Sequence, residues 1–373
     1  MNIPKGLFLV GISDMAGNAI TAIFWFLLAS FVLPKEYGEL AYFIGIAGIS
    51  SYIVLFGTQN TLIVYAAKNL KINSTFFTIS IVLGILATVV LYIIFNRIDI
   101  GLLIFAYIIN TFGSAELLGK KSFQSYAKYT ITQKILTFVI GLSFYYLFGI
   151  ESIIFGLALT YCAYTVVIYK IIKNSKVDFS LLKNRIGFAT NNYLIQLAGP
   201  SGGQIDKLII GTFLGFSILG NYNLALQVTM ILFAIPGIVY KYTLTYDANG
   251  EENKRVKKLT LIISIISAIL VITVSPILIP MFLPEYVESI KAIQIMSLDI
   301  IPSTLIYFRT SKLLGSEKSK HILISYILNL ATVVSGMIFL GQQFGIIGIA
   351  IAFVLCTCIQ YLYLYFVKEK NEN

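Results

Sequence analysis

The sequence predicts an all-α polytopic membrane protein of about twelve transmembrane helices in two six-helix lobes, and three observations carry that prediction. Of 373 residues, 58% are hydrophobic and only 12% charged, with a mean hydropathy of +0.86. A soluble domain is nearer half apolar and a quarter charged. The apolar residues also come in blocks that reach the roughly 20 residues a helix needs to cross about 30 Å of hydrocarbon. Finally, the most polar interior stretch, KNSKVDFSLLKNR at 173–185, falls midway, between the sixth and seventh blocks.

In chain order the blocks lie near residues 7–33, 38–66, 75–95, 100–118, 127–148, 150–172, 188–214, 217–240, 259–282, 290–310, 321–341 and 344–367. Lys5 precedes the first, which is too long for the apolar core of a cleavable signal and lacks a small-residue cleavage site, so it is expected to remain as the first span. The expected domains are an N-terminal lobe over 1–174, a linker over 175–187 and a C-terminal lobe over 188–373.

Lys and Arg accumulate in cytoplasmic loops. Of the 27 here, all but Lys35, Arg97, Lys291 and Lys207 fall at one set of block ends, and Lys207 lies inside a block. Both termini and the 173–185 and 247–258 loops are therefore expected in the cytoplasm, with the protein in the cell (cytoplasmic) membrane. The outer turns are short. The net charge of +10 reflects this bias and attraction to anionic headgroups, and nucleic acid is not an expected partner.

The halves share a faint repeat. An offset of 182 lays Phe31 on Phe213 and Gly38 on Gly220, and FGIESIIFGLAL at 148–159 resembles FGIIGIAIAF at 344–353. Duplicated halves around a central site are a common transporter plan.

The runs LPKEYGELAYFIGIAGISSYIVLFGTQNTLIVYAAKN, IDKLIIGTFLGFSILGNYNLALQV and LLGSEKSKHILISYILNLATVVSGMIFLGQQFGIIGIAIAFVLC resemble, in their order along nearly the whole chain, the polysaccharide-exporting branch of the multidrug/oligosaccharidyl-lipid/polysaccharide (MOP) exporter superfamily, the Wzx-type O-antigen flippases. The resemblance implies two six-helix lobes in a V, as in MATE transporters. It also implies a polyprenyl-linked oligosaccharide as substrate, alternating access as mechanism and no bond chemistry. Such flippases place basic residues in the cavity for the carrier diphosphate. This chain departs from that pattern, because its first two spans contain no arginine and Lys207 is its one lysine deep in the bilayer.

A charge at the bilayer centre costs roughly 2.5–3.5 kcal/mol on insertion scales, so intramembrane charges face a cavity or a partner. The candidates are Asp14, about 10 Å into the first span, and Asp206, Lys207 and Asp299, at a shared depth of about 12 Å from the outer edge. Lys207 either pairs with Asp206 or Asp299 to hold helices together, lines the cavity, belongs to a switching ion pair, or snorkels toward the outer surface. Gln204, Asn18, Asn60, Lys134 and Arg309 complete the cavity candidates. Asp14, followed by Asn18 and Thr21 on a polar stripe of helical period, is either a satisfied polar contact between helices or a cation or proton site, and as the latter it is the coupling-ion candidate. Gly199, Pro200, Gly202 and Gly203 form an expected hinge, since proline removes a backbone donor. Gly199, Gly203, Lys207, Gly211 and Gly215 recur every four residues, a bare ridge that admits either a neighbouring helix or a substrate headgroup.

Other chemistry has little footing. The sole histidine, His321, sits at a span edge, and Cys162, Cys356 and Cys358 lie in apolar spans without metal or disulfide spacing. No GxxxxGKS/T loop occurs. No cofactor, metal or catalytic residue is therefore expected, and energy is left to H+ or Na+, to substrate consumption, or to a partner such as a glycan polymerase or glycosyltransferase. The rival readings are a MATE-like cation-coupled multidrug antiporter and, more distantly, a membrane glycan polymerase or ligase, which would be expected to carry a sizeable outer loop.

Overall fold

The structure is a computed structural model that describes residues 5–56, 58–174, 177–183, 185–198, 202–247, 253–315 and 318–367. The described residues form helices and turns without strands. The helices are α1 (Lys5–Ala29), α2 (Pro34–Val54), α3 (Gln59–Ala67), α4 (Asn73–Phe95), α5 (Ile98–Gly119), α6 (Phe123–Phe148), α7 (Ile153–Thr160), α8 (Thr165–Asn174) and α9 (Phe179–Lys183). They continue with α10 (Ile186–Ala198), α11 (Gly202–Phe213), α12 (Phe216–Leu232), α13 (Ala234–Asp247), α14 (Lys254–Phe282), α15 (Ser289–Ser297), α16 (Ile300–Gly315) and α17 (Ser319–Phe366).

Among the described residues, nine helices or closely joined helix pairs are long and apolar enough to cross a membrane, and α12 with α13, bent by 44°, makes a tenth. The 48-residue α17 is too long for one crossing, and its backbone leaves helical geometry at Gly345. It thus accounts for the last two blocks of the sequence, and α10 with α11 accounts for the seventh. One block divides: the run at 38–66 is interrupted after Val54, and α3 restarts at Gln59 with Thr58 as its cap, the Thr58 hydroxyl accepting from the Thr61 amide at 3.3 Å. A threonine so placed satisfies one of the amides that a helix start leaves without a partner.

The chain packs as two units, Met1–Leu28 with Phe43–Gln204, and Ala29–Tyr42 with Ile205–Asn373. In unit 1, α5 is the central helix and packs on α3, α4, α6, α7 and α8. In unit 2 the broken span α15–α16 has that place, against α12, α13, α14 and α17. These are the fourth span of each half. Conversely α4 and α14, the third of each half, turn isoleucine, leucine and valine outward, among them Val82, Leu86, Val89, Ile93, Ile262, Ile266 and Leu270, all more than two-fifths exposed. Water would penalise such surfaces by about 25 cal/mol per Å² of apolar area, whereas lipid does not. The protein is a multi-pass membrane protein.

The repeat is visible in the backbone. Gly149 and Gly345, the glycines of the two FGI motifs, both take positive φ, +81° and +58°, a conformation open to glycine at little cost. In unit 2, the first turn of α2 crosses the first turn of α12 at Gly38 and Gly220. A Cβ on Gly38 would overlap the Phe216 carbonyl, and one on Gly220 would overlap that of Pro34. Each contact maps onto the other under the offset of 182.

Buried polar groups tie the helix ends. In unit 2 the Lys257 ammonium donates to both oxygens of Asp247, at 2.9 and 3.0 Å, and the Ser311 hydroxyl donates to the same carboxylate at 2.5 Å. This joins α13, α14 and α16. In unit 1 Asn73 donates to Glu116 at 2.9 Å and Lys120 pairs with that carboxylate, joining α4 and α5. The segment between α8 and α10 is held on unit 1: Asp178 and Thr75 exchange backbone and hydroxyl hydrogen bonds of 2.9 and 3.2 Å, and Leu182 is buried.

Candidate functional site

Some of the candidate residues gather into a polar cluster inside each unit: Asp14 and Lys134 in unit 1, and Asp206, Lys207 and Asp299 in unit 2. In unit 1, α1 and α6 run side by side, with Gly6 against Phe123, Gly17 against Lys134 and Gly141 against Phe24. This register brings the Tyr126 hydroxyl to Asp14, to which it donates at 2.9 Å. One turn further along, the bareness of Gly17 lets the alkyl chain of Lys134 lie over α1, and the ammonium is within electrostatic reach of Asp14. Thr130 and Tyr164 share a 3.2 Å hydrogen bond on the same face. The Thr21 hydroxyl turns back onto the Gly17 carbonyl, so the expected polar stripe reduces to Asp14 and Asn18, and Asn18 is exposed.

In unit 2, Asp206 of α11 is buried. Its Oδ2 accepts from Tyr222 at 2.6 Å and its Oδ1 accepts from the backbone amide of Lys207 at 2.7 Å. Tyr222 belongs to the buried run Leu219–Leu226 of α12 and lies within electrostatic reach of Asp299 as well. Asp299, between α15 and α16, is buried; its Oδ2 accepts from Ser303 at 3.0 Å, and the Thr357 side chain faces the same carboxylate. Lys207 is half-buried and within electrostatic reach of Asp206.

The remaining candidates are placed apart from these clusters. The Gln204 side chain packs on Gly48 of α2, and Asn60 is exposed in the first turn of α3. Arg309 donates to the carbonyls of Leu364, Tyr365 and Val367 at 2.8–3.2 Å, so it caps the end of α17 in the way basic groups serve helix C-termini. Gly202 and Gly203 open α11, while Gly199 and Pro200 lie outside the described residues. The glycine ridge resolves in part toward a neighbouring helix, because Gly211 is covered by the Tyr42 ring. Gly215 is not on the ridge: with φ +94° it turns the chain between α11 and α12.

Tyr126, Tyr222 and Ser303 complete the two clusters, yet sequence reasoning did not single them out. Tyrosine occurs 24 times, and the one local signal was the polar run NYN at 221–223 inside an apolar span.

The chain belongs to the family described as "Polysaccharide biosynthesis protein", whose model matches residues 27–244, more than half its length. No curated protein sequence matched. Among solved structures, the lipid II flippase MurJ in an inward closed conformation is similar with a TM-score of 0.75 at 17% identity, over 96% of this chain and 87% of that one. An inward-facing multidrug resistance MATE family transporter of the MOP superfamily has a TM-score of 0.69 at 15% identity, over 95% and 92% of the two chains. A MATE in complex with MaL6 follows at 0.65, also at 15% identity, over 96% and 94%. The fold is that of these flippase and MATE transporter structures.

Proposed function

We propose that the protein flips a polyprenyl-linked oligosaccharide across the cytoplasmic membrane by alternating access, with both termini in the cytoplasm, as the distribution of Lys and Arg suggests. The observation that carries this reading is the polysaccharide-biosynthesis family match on an exporter fold. The site chemistry fits it. A lipid diphosphate needs cations facing it, and Lys134 of α6 lies beside Asp14. When the substrate's charge engages the ammonium, Asp14 loses its counter-charge and takes up H+ or Na+ instead, which couples the two. Lys207 beside Asp206 repeats the arrangement in unit 2. The activity makes and breaks no bond, and its product would feed a glycan polymerase or glycosyltransferases.

In a strain lacking the protein, lipid-linked oligosaccharide should accumulate in the cytoplasmic leaflet, and the wild-type chain should relieve it where Lys134→Ala or Lys207→Ala does not. Export that continues unchanged without the protein would end this reading. A second reading, a cation-coupled drug antiporter, is favoured by the buried carboxylates Asp206 and Asp299. Potential-dependent dye efflux that survives Lys134→Ala but not Asp299→Asn would support it over the first.

A further inference from the structure

Tyrosine settles at the ends of membrane spans, where its ring lies against apolar groups and its hydroxyl is wet. In unit 1, Tyr107 and Asn110 lie instead about 14–18 Å from the Ile98 end of α5, in the middle of that span. With Thr111 and Ser114 they fall on one face of α5, at the three- and four-residue spacing of a helix. The opposite face, Leu102, Phe105, Ile109 and Phe112, is apolar. Neighbouring elements extend the polar face. Tyr161, in the turn Tyr161–Tyr164 between α7 and α8, sets its ring edge-on to Tyr107 with centroids 5.7 Å apart. Gln59 of α3 donates to Ser114 at 3.1 Å, and Tyr52 of α2 is within electrostatic reach of Tyr107.

Tyr52, Tyr107, Asn110 and Tyr161 are part-exposed, and among the described residues neither the Asn110 amide nor the three phenol hydroxyls make a hydrogen bond. Hydrocarbon penalises such groups heavily, so at this depth they require a polar occupant. None of these side chains is charged, and an anion or an organic cation would find no counter-charge on them. Rings that stack, with amides and hydroxyls that both donate and accept, match the apolar faces and hydroxyl rims of sugar rings. We infer that this face of α5 binds sugar rings of the translocated glycan. The inference rests on the flippase reading and divides the substrate in two: the Asp14–Lys134 cluster takes its charged end, and the α5 face takes its neutral sugars. The two places adjoin, because Tyr161 is within electrostatic reach of Tyr164, whose hydroxyl shares a hydrogen bond with Thr130.

The test uses the full chain in phosphatidylcholine nanodiscs and the polyprenyl-linked glycans extracted from membranes of the strain lacking the protein. Half of the extract is treated with mild acid, which hydrolyses the sugar–phosphate bond and leaves the carrier phosphates without sugar. Lipids retained on release are read by native mass spectrometry. Wild type should retain glycan-bearing lipid over stripped lipid by roughly tenfold or more. Tyr107→Ala and Asn110→Ala should each lower that preference roughly three- to tenfold, the scale of one stacked ring or one neutral hydrogen bond. Tyr107→Phe, which keeps the ring, should lose less than Tyr107→Ala. Equal retention of the two lipids by wild type overturns the inference and leaves the flippase reading standing, as does an unchanged preference in both alanine variants when monodisperse. A chain that retains neither lipid overturns the flippase reading and this inference with it. Tetraphenylphosphonium retained by wild type and lost from Asn110→Ala would assign the face to organic cations and likewise overturn it.

Discussion

At the scale of single residues, the decisive quantity is what happens to a buried charge when its partner goes. Asp247 is held by Lys257 and Ser311 with little exposure. Lys257→Ala should therefore cost about 3–5 kcal/mol, seen as a large fall in the melting temperature of detergent-purified protein. Replacing both partners by apolar residues should recover much of it, and an equal loss in the double variant would argue against the ion pair as the cause. Tyr222→Phe removes the hydroxyl from Asp206 and should cost about 1–3 kcal/mol by the same logic. Outside the membrane, the Ser180 hydroxyl and amide hold the Asp178 carboxyl below the usual carboxylate range. A carboxylate with a depressed pKa contributes at neutral pH and stops contributing as the pH falls through that lowered value. Amide exchange across 177–183 should consequently quicken in acid for wild type, and Asp178→Asn should lack that acid-dependent step.

Helices meet or turn where side chains are missing. At the crossing of α2 and α12 the added Cβ of Gly38→Ala or Gly220→Ala would strike backbone atoms, which cannot rotate away. Each substitution should destabilise by about 1–3 kcal/mol, the range for overpacking. Gly345→Ala should also destabilise, because its backbone is left-handed. Gly11 of α1 has open space around the position of a Cβ and no unusual φ, so Gly11→Ala should be neutral or slightly stabilising. Thermal unfolding of the four variants side by side checks the series, and a Gly11→Ala protein as damaged as Gly38→Ala would refute the steric account.

For the whole molecule, charge bias and span count together imply sidedness. In a cysteine-free background, Glu285→Cys, between α14 and α15, should react with a membrane-impermeant thiol reagent added to intact cells. Lys254→Cys, at the start of α14, should react only after permeabilisation. The reverse pattern would invert the topology and with it the leaflet from which substrate is drawn.

Much of this architecture was legible in the sequence because membrane spans announce themselves by length and composition, requirements that lipid imposes locally. Asp14, Asp206 and Asp299 stood out for the same reason, as charges in apolar runs. The repeat was legible too, since the turns at Gly149 and Gly345 and the crossing of Gly38 and Gly220 each need a residue without a side chain. The partners were not legible. Arg309 caps carbonyls 55 to 58 residues away, Tyr126 reaches Asp14 across 112 positions, and a block that reads as one span breaks at Thr58. The sequence by itself determined that the chain is a stack of membrane-crossing helices with a few charges that must find partners, because burial in lipid is a property of each segment. Which tyrosine, serine or lysine answers each charge was decided only by the tertiary structure, because it depends on the register between helices.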